Sequence, residues 1–115
     1  MNREIKFRAW DISKKMMGEV NWLCPRSDGI FKCRGWFGDE DRELIESQFN
    51  IMQYTGLKDK NGVEIYEGDI CNDGSQVIFL GGRYVLMYIN GDFEDLIGEE
   101  DEVIGNIYQN PNLIS

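Results

Sequence analysis

Residues 3–11 alternate between apolar and polar positions, with Ile5, Phe7 and Ala9 on one side and Lys6, Arg8 and Trp10 on the other. A period of two is the pattern of a half-buried strand, so the chain is predicted to open on one. Ser13-Lys14-Lys15 supplies a polar turn, and Met16 to Leu23 the antiparallel return. Gly29 to Phe37 reads as a third strand, bent or bulged because Gly35 and Gly38 punctuate it. Asp39-Glu40-Asp41 then interrupts the β pattern. Asp39 suits a helix N-cap, acids crowd the following turn, and Leu44, Ile45 and Phe49 fall near one helical face. At most one short helix is therefore predicted, near residues 39–47.

From Phe49 onward the pattern is β again. The predicted strands are Phe49–Tyr54, Val63–Tyr66, Asp69–Cys71, Gln76–Leu80, Arg83–Ile89, Phe93–Ile97 and Val103–Tyr108. The breaks carry Asn61-Gly62, Asp73-Gly74, Gly81-Gly82 and Asn90-Gly91, pairs that supply the positive φ angles of tight hairpin turns. Short strands with tight connections specify a small barrel or sandwich. The expected core of this half is Tyr54, Leu57, Ile65, Tyr66, Ile70, Val77, Phe79, Val85, Ile104 and Ile107. The expected organisation is an N-terminal β-rich region over residues 1–48 and a barrel with a C-terminal tail over 49–115, as two regions or one compact unit.

Three segments carry a family resemblance. The opening IKFRAWD, the central MQYTGLKDKNGVEIYEGDI and the closing VIGNIYQNP, in that order, resemble the YopX family of phage and prophage proteins. The resemblance implies a mainly β protein whose C-terminal half is an SH3-like small barrel. It also implies a phage or prophage origin, residence in a bacterial cytoplasm and some tendency to self-assemble. It implies no activity and carries over no catalytic residue. The run Tyr66-Glu67-Gly68-Asp69-Ile70 fits a barrel on its own terms, because a glycine directly before a strand permits a sharp reversal.

Charge is spread unevenly along the chain. The net value is −9, yet residues 1–38 carry eight basic residues against four acids, and residues 39–115 carry four against seventeen. Lobes of opposite sign favour contact with each other or with a second protomer over contact with a polyanion. The uninterrupted apolar runs, such as Val77 to Leu80, are only a few residues long, far too short to cross a membrane, and MNREIKFRAW has no apolar signal region. A cytoplasmic protein with no membrane partner is expected. Of the three cysteines, Cys24 and Cys33 are spaced to face each other across a hairpin, and all three are read as reduced thiols.

The chemistry-bearing residues are sparse. There is no histidine, so the usual neutral-pH acid–base group, the imidazole partner of a cysteine nucleophile and the common zinc ligand are all missing. The densest acidic segment is Asp92, Glu94, Asp95, Glu99, Glu100, Asp101 and Glu102. It fails as a calcium loop, because Ile97 stands where the turn glycine belongs. No cofactor, metal or catalytic set is assigned, and a non-enzymatic phage accessory protein acting through protein contacts is the leading expectation. Its partners would be a second copy of the chain, or a bacterial host or phage protein. Two alternatives stay open. Arg3, Lys6, Arg8, Trp10, Lys14, Lys15, Trp22, Arg34 and Trp36 interleave cations and aromatics as single-strand nucleic-acid grooves do, although the acidic half disfavours phosphate. The same Trp residues equally suit a core or a subunit contact. The seven acids at 92–102 could instead imitate DNA phosphates and block a host protein.

Overall fold

Alternation dominates the fold as it dominates the sequence. The computed structural model describes residues 5–25, 31–88, 94–98 and 100–114. The chain divides into two units, residues 5–53 and residues 54–115. Both are mainly β and antiparallel.

In the N-terminal unit, β1 (Phe7–Asp11) pairs with β2 (Met16–Pro25), which pairs with β3 (Phe31–Phe37), which pairs with β4 (Glu40–Ile45). The first half of β5 (Phe49–Lys58) flanks β1, giving the order β4-β3-β2-β1-β5. One face carries the core: Ala9, Cys33, Phe37, Leu44 and Phe49 are buried together, with Val20 and Leu23 packed against them. Val20 and Leu23 are three apart, which period two forbids. A bulge between Val20 and Trp22, opposite Gly35 and Arg34, restores both to the inner face. Gly35 makes the bulge feasible, because a Cβ there would lie 2.1 Å from the Glu19 carbonyl oxygen. Gly18, paired with Phe37 across the strands, leaves the space the Phe37 ring fills.

The helix predicted from Asp39 is corrected by the structure. Gly38-Asp39 is the loop of a β3–β4 hairpin, Glu40–Ile45 is a strand, and only a single 3-10 turn, Glu46–Gln48, follows. The acids that looked like a helix N-terminus pair instead with cations on β3: Arg34 with Asp41 and Lys32 with Glu43. Arg42 and Leu44 turn toward the core side while Asp41 and Glu43 face out, a strand period that the dense charge had hidden.

In the C-terminal unit, the second half of β5 pairs with β6 (Glu64–Tyr66), and the Tyr54 and Tyr66 rings meet with centroids 5.5 Å apart. A separate five-stranded sheet has the order β10-β9-β8-β7-β11. Its strands are β7 (Asp69–Cys71), β8 (Gln76–Leu80), β9 (Arg83–Met87), β10 (Glu94–Asp95) and β11 (Val103–Asn106). Among the described residues the hydrogen-bonded ladder runs from β10 to β11 without closing. Ile65, Cys71, Val77 and Leu86 form the buried cluster, joined by Tyr84, Ile97 and Val103.

Six of the expected core residues are buried: Tyr54, Ile65, Tyr66, Ile70, Val77 and Val85. Ile107 is half-buried, and Leu57, Phe79 and Ile104 are exposed, these three each for a local reason. The β5–β6 register shifts between Tyr54 and Lys58, which breaks the alternation before Leu57. Phe79 lies at the turn end of the β8–β9 hairpin, one pair from the Gly81-Gly82 loop, edge-on against Tyr84 at 5.0 Å. A bulge between Val103 and Gly105 turns Ile104 outward.

Candidate functional site

Residues directly opposite in a β ladder share a face. Trp10 pairs with Met17, Glu19 with Trp36, Trp36 with Asp41, Trp22 with Arg34, and Arg34 with Glu43. All three tryptophans therefore stand on the outward face of the N-terminal sheet, opposite the core. Trp22 is 42% exposed and Trp36 50%, while Trp10 and Met17 are half-buried beside them. Lys32 sits over the Trp22 ring with its Nζ 5.3 Å from the centroid, a cation–π distance.

The cations of this face are already engaged. Arg34 makes a two-pronged pair with Asp41, Nη2 donating to Oδ2 at 2.8 Å and Nε to Oδ1 at 3.2 Å. That hydrogen bond holds the Asp41 carboxyl below the usual carboxylate range and raises the Arg34 guanidinium. Lys32 Nζ lies 3.2 Å from Glu43. Exposed pairs like these add little stability, but they leave less charge to offer a phosphate. Of the other sequence-chosen cations, Lys6 lies just before β1 and Arg8 within it, both half-buried. Lys14 reaches Glu40 at 3.7 Å, and Arg3 lies outside the described residues.

Charge therefore distributes differently over the folded units than along the chain. Residues 5–53 hold eight basic and eight acidic residues, a net of zero. Residues 54–115 hold three basic and twelve acidic, and carry the whole −9. The acids at 39–46 belong to the basic strands they pair with, so the N-terminal unit is an aromatic, electrically neutral sheet. The +4 segment read along the sequence has no counterpart in it.

The acidic segment at 92–102 does not act as one surface among the described residues. Asp101 is turned inward, its Oδ2 accepting the Gly98 N–H at 2.6 Å. Glu102 accepts from Asn61 Nδ2 at 3.2 Å and lies 3.4 Å from Lys60 Nζ. Glu100 is exposed, and Glu94 and Asp95 form β10. Asp92 and Glu99 lie outside the described residues. No group of three or more His, Cys, Asp or Glu that could hold a metal ion occurs among the described residues.

Carboxylates that sequence reasoning passed over turn out to hold the turns. Asp59 Oδ1 accepts the N–H of Asn61 at 2.8 Å and of Val63 at 2.9 Å, while Oδ2 accepts the N–H of Val103 at 3.0 Å. Burial opposes its charge, but the Val103, Val63 and Asn61 N–H groups and Lys60 outweigh that and hold the carboxyl below its ordinary range. Asp69 Oδ2 accepts the Tyr66 N–H at 2.7 Å. Asp73 locks the β7–β8 turn through Ser75 and accepts from the Tyr88 hydroxyl at 3.1 Å. In the N-terminal unit Asp11 is fully buried, accepts from the Ser13 N–H at 3.1 Å and the Lys14 N–H at 3.2 Å, and is paired with Arg42. The available signal was spacing: Asp-x-Asn, Asp-x-Ser and Asp-x-Ser at 59–61, 73–75 and 11–13 are turn-locking patterns.

The thiols do not meet. Cys33 pairs with Leu23 and Cys24 with Lys32, so the two cysteines point to opposite faces of the sheet. None of Cys24, Cys33 and Cys71 is in a disulfide. Burial, helped by Asp11, pushes the Cys33 thiol up to about 11. Burial and then Asp101, Asp73, Asp69 and Asp59 push Cys71 up to about 12.

These features define a class: a two-unit antiparallel β protein whose neutral N-terminal unit exposes an aromatic sheet face and whose second unit is acidic. The family model described as YopX protein matches residues 6–115, and the chain belongs to that family. Its structure is similar to the crystal structure of protein EF1440 from Enterococcus faecalis, with a TM-score of 0.71 and 30% identity over 99% of this chain and 100% of the other. It is also similar to the crystal structure of protein yopX from Bacillus subtilis, with a TM-score of 0.63 and 21% identity over 96% and 95% of the two chains. Among curated proteins none matches.

Proposed function

We propose that this is a non-enzymatic phage or prophage accessory protein that acts through protein–protein contacts, made by the outward face of the N-terminal sheet. The observation that carries the reading is Trp22 and Trp36, half exposed on one face of a unit whose net charge is zero. Aromatic residues with self-neutralised charge mark protein interfaces, whereas a phosphate-binding groove keeps its cations open. The first partner is a second copy of the chain, since two neutral faces approach without the repulsion that the −9 units exert on each other. A bacterial host or phage protein is the further partner class. Three thiols outside any disulfide support a reducing, cytoplasmic setting. Within this reading we also propose that the five-stranded sheet is an open SH3-like barrel, a proposal supported by its β7–β10 meander with β11 returning beside β7.

Sedimentation velocity at micromolar concentration tests the proposal. The expected result is a species larger than 13.4 kDa that dissociates on Trp22→Ala or Trp36→Ala. A single 13.4 kDa species at low and moderate salt overturns self-association. Titration with labelled single-stranded DNA separates the nucleic-acid alternative, which requires micromolar binding that weakens steeply with salt.

A further inference from the structure

The edges of the sheets are unequal. Among the described residues β10 is 2 residues long and β11 4, whereas β4, the free edge of the N-terminal sheet, has 6. Short edges offer too little ladder to attract another chain, and β4 does not share that protection. Its free backbone groups follow from the hairpin. Phe37 and Glu40 flank the two-residue loop Gly38-Asp39 and form the hydrogen-bonded pair nearest the turn. Alternation then makes Gly35 with Arg42 and Cys33 with Leu44 the next such pairs. The N–H and C=O groups of Asp41 and Glu43 therefore point away from β3. The Ile45 N–H, next in that row, is already given to Gln48 Oε1 at 2.9 Å.

The side chains select the occupant. Asp39, Glu40, Asp41, Glu43 and Glu46 line this edge. Asp41 and Glu43 are held by Arg34 and Lys32 of β3, Glu40 lies 3.7 Å from both Lys14 and Arg42, and Arg42 turns inward to Asp11, which leaves Asp39 and Glu46, at the two ends of β4, to meet a partner. Two copies of β4 pairing antiparallel would set carboxylates against carboxylates, which is destabilising directly across strands. Asp39 and Glu46 favour a basic strand, so the residues of this edge both reject the chain's own edge and accept a partner of opposite sign. We propose that the free edge of β4 takes an extended basic peptide as an added strand, held by the backbone of Asp41 and Glu43 and selected by the carboxylates of Asp39 and Glu46. This rests on the reading that the protein works through protein contacts, but it uses the edge of the sheet where that reading uses the face.

The test is a fluorescence-anisotropy titration of the intact chain with a labelled peptide of alternating Arg and Thr, about six residues long to match a typical strand. Two control peptides accompany it: one with alternate amide nitrogens methylated, and one of alternating Glu and Thr. Micromolar binding of the first peptide is expected, weakened about tenfold or more in both controls. Amide hydrogen exchange should show new protection at Asp41 and Glu43. The exposed double variant Asp39→Asn, Glu46→Gln should weaken binding while leaving the fold intact. Equal binding of the methylated or the acidic peptide, protection elsewhere, or no binding at all overturns the proposal. Repeating the titration with Trp22→Ala separates the two claims, since a monomeric variant that still binds the peptide keeps the edge site whatever becomes of the aromatic face.

Discussion

The Asp59 carboxylate accepts the backbone N–H of Val103 at 3.0 Å, joining residues 44 positions apart. The other carboxylate oxygen closes the Asp59–Val63 turn, so one side chain fixes a hairpin and attaches it to β11. Hydrogen bonds to a charged acceptor contribute about 1.5–3 kcal/mol each. Asp59→Ala is therefore expected to destabilise the C-terminal unit by about 3 kcal/mol or more, leaving three N–H groups without their acceptor. Urea unfolding with tyrosine fluorescence measures the loss; a change below about 1 kcal/mol would remove Asp59 from this role.

Acid should undo the same contacts. Asp59, Asp73 and Asp41 all have carboxyls held below the ordinary value of 3.8 in the folded chain. A group whose folded pKa is depressed contributes stability in full above its unfolded pKa and loses it as pH falls through the folded one. Stability is thus expected to hold from neutrality to about pH 5 and then decline steeply below about pH 4. Thermal melts from pH 7 to pH 2.5 read this directly, and Asp59→Asn should flatten the decline.

Arg42 and Asp11 test the N-terminal unit separately. Asp11 is fully buried and ends β1, and Arg42 reaches it from β4, 31 residues away in sequence. Removing one partner of a buried pair leaves an uncompensated charge and costs about 3–5 kcal/mol. Arg42→Ala should therefore cost more than Asp11→Asn, which keeps an oxygen for the Ser13 and Lys14 N–H groups. The reverse order in denaturant midpoints would contradict the pairing.

These contacts also show what the sequence could reveal. Strands such as Gln76–Leu80 were legible because apolar residues alternate between glycine-marked turns, and the observed β8 has those bounds. The segment at 39–47 was not, because five acids around one arginine satisfy helix-start rules as well as they satisfy cross-strand pairing. Only the position of Arg34 and Lys32 on the neighbouring strand decides between the two. The tryptophans were picked out as candidates, but nothing in their spacing shows that a bulge after Val20 keeps Trp22 on the face of Trp36. Charge read by chain position misled in the same way, since β4 carries its acids into the basic unit.

Thiol chemistry gives the last prediction. The Cys33 thiol, up at about 11, and the Cys71 thiol, up at about 12, are buried and stay protonated at any pH the fold meets. The thiolate is the reactive form, so neither should react with an alkylating reagent in the native state. Cys24 is only partly buried on the outward side of β2. Iodoacetamide at pH 8 followed by mass spectrometry should show a single adduct, at Cys24, with Cys33 and Cys71 labelled only after unfolding. Because Cys24 shares its face with Trp22, its labelling rate should also fall as protein concentration rises if copies meet on that face. A rate independent of concentration, in a sample that sedimentation shows to be associated, would place the contact elsewhere.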